Sequence, residues 1–127
     1  MFSLVAVVAL AGCTPQQADA YNRINDSRTS VGLPGLGFDE AIGNDAQRHA
    51  ARLAAEGRIF HMALPPGSCM TENVGSGSSI EAVHAMLLQS PGHRAHILDR
   101  SATVVGTGVA SANGRVFVVQ RFVRSSC

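Results

Sequence analysis

The chain has 127 residues, 46% of them apolar and 15% charged, which suits one domain with a single core and excludes a disordered polymer. Lysine is absent, arginine supplies all the basic side chains, and the formal net charge is +1. No basic block and no aromatic–basic interleaving occurs, so neither a nucleic-acid partner nor a basic membrane-binding face has support.

Leu4 to Ala11 is an unbroken apolar run. It is shorter than the roughly 20 residues that span a bilayer and has the length of a signal-peptide apolar region. Leu10-Ala11-Gly12-Cys13 follows it and resembles a bacterial lipobox. In such a motif small residues admit the peptidase, and the Cys thiol then carries a diacylglycerol anchor. The leading Met1-Phe2-Ser3 departs from the pattern in having no basic residue. The rival reading is an apolar helix start with a buried Cys. The expectation is a signal peptide over 1–12, a lipidated Cys13 with a short tether to residue 17, and one domain over 18–127. The protein would then lie outside the cytoplasm, secreted or held to the envelope, with that lipid as its one membrane contact.

Export would leave Cys69 and Cys127 in a compartment that permits oxidation. A disulfide between them would close a long loop, worth up to about 4 kcal/mol on the chain-entropy model. Two separate thiols are the alternative. No CxxC spacing is present, so a zinc-thiolate or thioredoxin-like site has nothing to rest on.

A first helix is predicted from about Gln17 to Ser30, with Ala18, Tyr21, Ile24 and Arg28 along one face. Gly32, Pro34, Gly35 and Gly37 then form a loop. A second helix begins after Phe38, with Asp39 as N-cap, and stops before Gly57. Its inward stripe of Ile42, Ala46, Ala50 and Leu53 is mostly small, which implies a close neighbour. Residues 58–66 read as irregular chain, Met70 to Val74 as a short strand, and Gly75-Ser76-Gly77 as a loop. A third helix runs from about Ser79 to Gln89, burying Ile80, Val83, Met86 and Leu87. A fourth starts at Ser90-Pro91, where proline fits the first turn, and reaches Leu98. Beyond it the pattern turns to Val-rich runs around Asn113-Gly114, a type I′ hairpin signal. Helices first and strands after make an α+β chain and exclude a doubly wound sheet.

The residues able to do chemistry gather between positions 61 and 93. His61, Glu72, Glu81 and His93 put two imidazoles and two carboxylates into one short segment. Neutral imidazole binds metals, and its titration near neutral pH lets it move protons. His61 sits in a loop that can aim it across a cleft, and His93 is near the third residue of its helix. Each histidine taken singly also reads as a surface or hydrogen-bonded structural residue. Ser78-Ser79-Ile80-Glu81 fits a capping box, which by itself would explain Glu81. Glu72, beside a strand, is harder to explain, because a buried carboxylate needs a partner. His49 reads as a boundary residue, His84 as partly exposed, and His96 as the second half of a weak HxxH pair. No HExxH, GxSxG or Walker pattern occurs.

Several segments together resemble the CAP superfamily of cysteine-rich secretory, antigen 5 and pathogenesis-related proteins, in its short bacterial form. They are Asn25-Asp26-Ser27-Arg28 with Gly32-Leu33, Phe60-His61, Glu72-Asn73-Val74, Ser90 to Leu98, Val105 to Val109, and Val119-Gln120-Arg121-Phe122. The resemblance spans about residues 18–123. It implies an α-β-α sandwich of about four helices around a small, mainly antiparallel sheet. It also implies that His61, Glu72, Glu81 and His93 line one cleft as the family's tetrad, with His61 and His93 holding Zn2+ or another divalent cation. Met86 stands where the family has Trp, Thr71 where it has Gly, and His96 where it often has Asn.

The expected function is binding of a small-molecule, lipid or envelope ligand in that cleft, with or without the metal. One alternative is a zinc-dependent, peptidase-like hydrolase with Glu72 or Glu81 as general base. Another is an envelope interaction module whose tetrad is only structural. The lack of an activated nucleophile favours binding over catalysis.

Overall fold

The computed structural model describes residues 13–127, so the signal segment over 1–12 and most of the lipobox lie outside the described residues. Helix α1 (Pro15–Ser30) starts earlier than the predicted Gln17, and the expected tether is its first turn. Thr14 and Gln17 form a reciprocal capping box that satisfies two of the orphan amides of a helix start. Gln17 also anchors that turn to the rest of the molecule through the Gly43 and Thr107 carbonyls.

Strand β1 (Gly37–Phe38) lies in the stretch predicted to be loop, and pairs in parallel with Val104 and Val105. Helix α2 (Glu40–Glu56) has the predicted limits: the Asp39 carboxylate accepts from the Ile42 amide, and Gly57 closes the helix at φ 66°. Strand β2 (Met70–Gly77) is longer than predicted, because Gly75 to Gly77 continue the ladder opposite Val118 to Val116. Helices α3 (Ile80–Gln89) and α4 (Pro91–Ile97) follow, then β3 (Ala102–Ala112) and β4 (Arg115–Arg124). The β3–β4 hairpin turns at Asn113 and Gly114, both at positive φ as a type I′ turn requires.

The sheet order is β1-β3-β4-β2, antiparallel except for the β1–β3 pair. The protein is thus an α+β sandwich, with α2 on one face of the sheet and α1, α3 and α4 on the other. Alternation along β4 decides which residues meet which layer. Phe117 and Val119 pack with Ala46, Ala50 and Leu53 of α2, whereas Val118 and Phe122 join Ile24, Val83, Leu87 and Ile97.

The small stripe of α2 has its neighbour in β3. A Cβ on Gly106 or Gly108 would overlap the α2 backbone at Ile42–Gly43 or Ala46, so only glycine lets the two elements approach this closely. Helix α3 differs from its predicted face. His84 is buried and Met86 is 45% exposed, because α3 turns Val83, His84 and Leu87 inward. The Cys69–Cys127 disulfide closes the open end of the β2–β4 pair, with Cα atoms 5.0 Å apart and the Arg124 amide donating to the Cys69 carbonyl.

Candidate functional site

Strand β2 forms one edge of the sheet, and consecutive residues Glu72 and Asn73 point to opposite faces of it. Both are buried, and each organises a different part of the site.

On the α2 face the Glu72 carboxylate uses both oxygens. Oε1 accepts from His61 Nδ1 at 2.8 Å, and Oε2 accepts from Arg121 Nε at 2.7 Å. Arg121 is directly opposite Glu72 in the β2–β4 register, so the ladder itself brings the two charges together. His49, from α2, completes the cluster. Its Nε2 donates to the Phe60 carbonyl at 2.9 Å, which leaves Nδ1 of the neutral ring to accept from Arg121 Nη2 at 3.3 Å. The same Nδ1 lies 3.3 Å from Glu72 Oε2, and the guanidinium bridges the two acceptors. The Phe60 carbonyl held by His49 fixes the chain just ahead of His61, whose side chain remains 60% exposed.

On the other face Asn73 ties β2 to α4. Its amide donates to the His93 carbonyl and to Gln120 Oε1, and its Oδ1 accepts from His96 Nδ1 at 2.8 Å. The His93 ring has Nδ1 2.9 Å from Ser90 Oγ, the residue that caps its own helix. Burial, then the charge of His93, push the His96 ring below its ordinary value of 6.5. Asp99 acts in the opposite sense, and Arg124 and His61 add to the depression.

Glu81 takes no part in these hydrogen bonds. The N-cap of α3 is Ser79, whose hydroxyl accepts from the Ala82 amide. Glu81 is thus the second helical residue, one short of the position from which a capping box closes. It is exposed, and among the described residues it makes no hydrogen bond or ion pair. Its first-turn position still suits an acidic residue beside the positive end of the helix dipole.

Two residues that hold Glu72 were not singled out by sequence. His49 is buried in the cluster rather than at a boundary, and Arg121 looked like one polar member of a Val-rich strand. The available signal was alternation: Phe117, Val119 and Arg121 share a face, so a charge there had to be buried and paired.

The donor chemistry limits what cation the site could take. His61 donates from Nδ1 to Glu72, which leaves its Nε2 lone pair free of protein partners among the described residues; His93 Nδ1 lies against the Ser90 hydroxyl, and its Nε2 offers a lone pair in the tautomer that donates to that hydroxyl. No group of three or more His, Cys, Asp or Glu residues that could hold a metal exists among the described residues. Two imidazoles completed by water or a ligand fit this donor set. A catalytic zinc with three protein ligands does not.

The α-β-α sandwich, with α2 on one face of a β1-β3-β4-β2 sheet and α1, α3 and α4 on the other, defines the class of protein. Residues 21–122 match the CAP family, described as the cysteine-rich secretory protein family, and the chain belongs to it. No curated protein matches the sequence. Among solved structures, an extracellular protein containing an SCP domain from Bacillus anthracis is similar, with TM-score 0.73 and 22% identity. The alignment covers 87% of this chain and 40% of that one, so the chain spans less than half of that protein. An outer surface protein from Borrelia burgdorferi has TM-score 0.69 and 21% identity over 83% of this chain and 90% of its own. NaASP2, solved with Zn2+, has TM-score 0.69 and 12% identity over 88% of this chain and 81% of its own. At these identities the likeness concerns the fold.

Proposed function

We propose that this CAP-domain protein acts outside the cytoplasm as a binding protein, taking a small-molecule, lipid or envelope ligand in the cleft beside His61, Glu72 and His93. A divalent cation such as Zn2+ belongs to the same reading, with His61 and His93 as its protein ligands. The observation that carries it is the anchoring of the His61 ring through Nδ1 by Glu72, which presents its Nε2 lone pair, with the His93 ring held at Nδ1 beside Ser90. The name of NaASP2 with Zn2+ is in keeping with it. A bound cation would act as a Lewis acid toward an oxygen of the ligand. The protein's own part is to hold His61 in one tautomer through Glu72, and Glu72 in place through Arg121 and His49.

Zinc titration by calorimetry tests this. Wild type should bind one ion, and His61→Ala should bind at least tenfold more weakly. Equal affinity in the two proteins would overturn the metal assignment. Hydrolysis, with Glu72 or Glu81 as general base, is the second choice, because Glu72 already accepts a hydrogen bond at each oxygen, from His61 and from Arg121.

The lipid anchor at Cys13 belongs to the same proposal. The Cys13 side chain is partly buried ahead of α1, and its thiol is the only free one among the described residues. Mass spectrometry of membrane fractions should find a diacylated N-terminal Cys13. A mature protein beginning at Met1 would remove the anchor.

A further inference from the structure

Behind the Glu72 cluster, on its α2 side, is an open cavity of about 210 Å3. Its wall is made by Asp45, Arg48, His49 and Arg52 of α2, by Met62 and Ala63 of the following loop, and by Arg121 of β4. Three arginines and one aspartate are among the residues that line this space. The geometry points to a binding site for a small organic carboxylate, with its acid group against the arginines and its apolar end on Met62 and Ala63. The cavity is separate from the cleft read above as a binding site and meets it through Arg121, which holds Glu72.

The floor of the cavity supplies the main argument. Arg121 is about nine-tenths buried and gives Nε to Glu72 and Nη2 to His49. Among the described residues its Nη1 has no hydrogen-bond partner. A guanidinium offers five donors in a fixed fork, and one left unspent against a cavity is suited to a carboxylate oxygen. Arg48 and Arg52 reach the same space from successive turns of α2, each with an exposed carboxylate partner, Asp45 and Glu56.

The other two arginines are free to turn. Arg48 pairs with Asp45 and Arg52 with Glu56 as exposed neighbours along one helix, and such pairs contribute little. A carboxylate at the cavity mouth can draw either guanidinium away at small cost. Arg52 already leans inward, with Nη1 3.6 Å from the Met62 sulfur and its guanidinium over the Phe60 ring. A thioether is a weak acceptor that a carboxylate would readily displace. The volume accommodates roughly ten non-hydrogen atoms at interior packing density, which sets the size of the ligand. Met62 adapts its shape to whatever apolar group arrives.

Benzoate and its neutral isostere benzamide are suitable probes, titrated into the intact protein at low ionic strength. The protein is first stripped of metal with EDTA and then dialysed free of it, because EDTA is itself a carboxylate, so a protein that binds no zinc still reports on the cavity. Benzoate should bind at least tenfold more tightly than benzamide, and 0.5 M NaCl should remove most of that difference. The double variant Arg48→Gln/Arg52→Gln should lose at least fivefold in benzoate affinity while keeping its urea midpoint. A second variant, Ala63→Trp, fills the mouth and should abolish binding of both probes. Equal affinity for benzoate and benzamide would overturn the proposal, as would undiminished benzoate binding in the double variant.

Discussion

Glu72 and Arg121 face each other across the β2–β4 ladder and join their charges at 2.7 Å, with the Glu72 side chain almost wholly removed from water. Desolvating two charges costs several kcal/mol per ion, and close attraction with further hydrogen bonds offsets it. Here the further bonds come from His61 and His49. Removing one partner strands the other. Glu72→Ala is therefore expected to destabilise the fold by about 3–5 kcal/mol in urea unfolding. Replacing both partners, as Glu72→Leu/Arg121→Met, should recover most of that loss, and an equal loss in the double variant would show that the pair is not the cause.

The contact between Gly108 and α2 gives a sharper steric prediction. A Cβ there would meet the Ala46 carbonyl, which belongs to the helix backbone and has no rotamer to change. The helix would have to lift off the sheet, taking Ala50 and Leu53 with it. Gly108→Ala should cost about 1–3 kcal/mol, the range of overpacked cores. Thermal unfolding of this variant beside Gly77→Ala, where the nearest atom is a movable Val83 methyl, checks the argument. Similar losses in both would contradict it.

Elements with a local cause were legible in the sequence. Asp39 and Gly57 delimit α2, and Asn113-Gly114 sets the last turn, because a cap or a positive φ needs only its own neighbours. The errors lie where a distant partner decides. Gly75 to Gly77 look like a loop, yet become strand because Val116 to Val118 pair with them and Val83 needs the space their missing side chains leave. His84 looks half-exposed until Ser27 of α1 is set against it at 2.8 Å. The site divides in the same way. Glu72 and its need for a partner could be read from the chain, whereas Arg121 and His49 as its partners depend on register and helix packing. Glu81 shows the opposite failure, since a one-residue shift of the N-cap leaves it outside the capping box.

The disulfide joins the start of β2 to the chain end after β4 across 58 residues. Closing a loop of that length removes unfolded-state entropy worth about 4 kcal/mol on the chain-entropy model. Reduction, or Cys69→Ser/Cys127→Ser, should lower stability by about 2–4 kcal/mol. Arg124 and its carbonyl contact at Cys69 should loosen first, along with the Arg124–Asp99 ion pair at 2.7 Å. Hydrogen exchange at the 124 and 125 amides measures the local effect, and unchanged protection on reduction would argue against it.

Acid should weaken the protein in two separable steps, the first governed by His84. Its Nε2 shares a hydrogen bond with Ser27 Oγ, and its Nδ1 is buried with no partner among the described residues. Burial, then the Arg23 charge, hold the ring below its ordinary 6.5, while Asp26 acts the other way. As pH falls through 6.5 the unfolded chain takes up a proton that the folded ring refuses. The contribution is therefore complete above 6.5 and lost as pH falls toward the folded value. His96, also lowered, adds in the same direction. Asp99 gives the second step: burial would raise its carboxyl, but hydrogen bonds from Ser101 and the charge and hydrogen bond of Arg124 outweigh this and hold it below 3.8. Its contribution is present above 3.8 and disappears only below that pH. Urea midpoints should thus decline between pH 7 and 5 and again below pH 4. His84→Leu should flatten the first decline without touching the second, because Asp99, Ser101 and Arg124 do not involve α3. A first decline undiminished in that variant would mean that another group governs it.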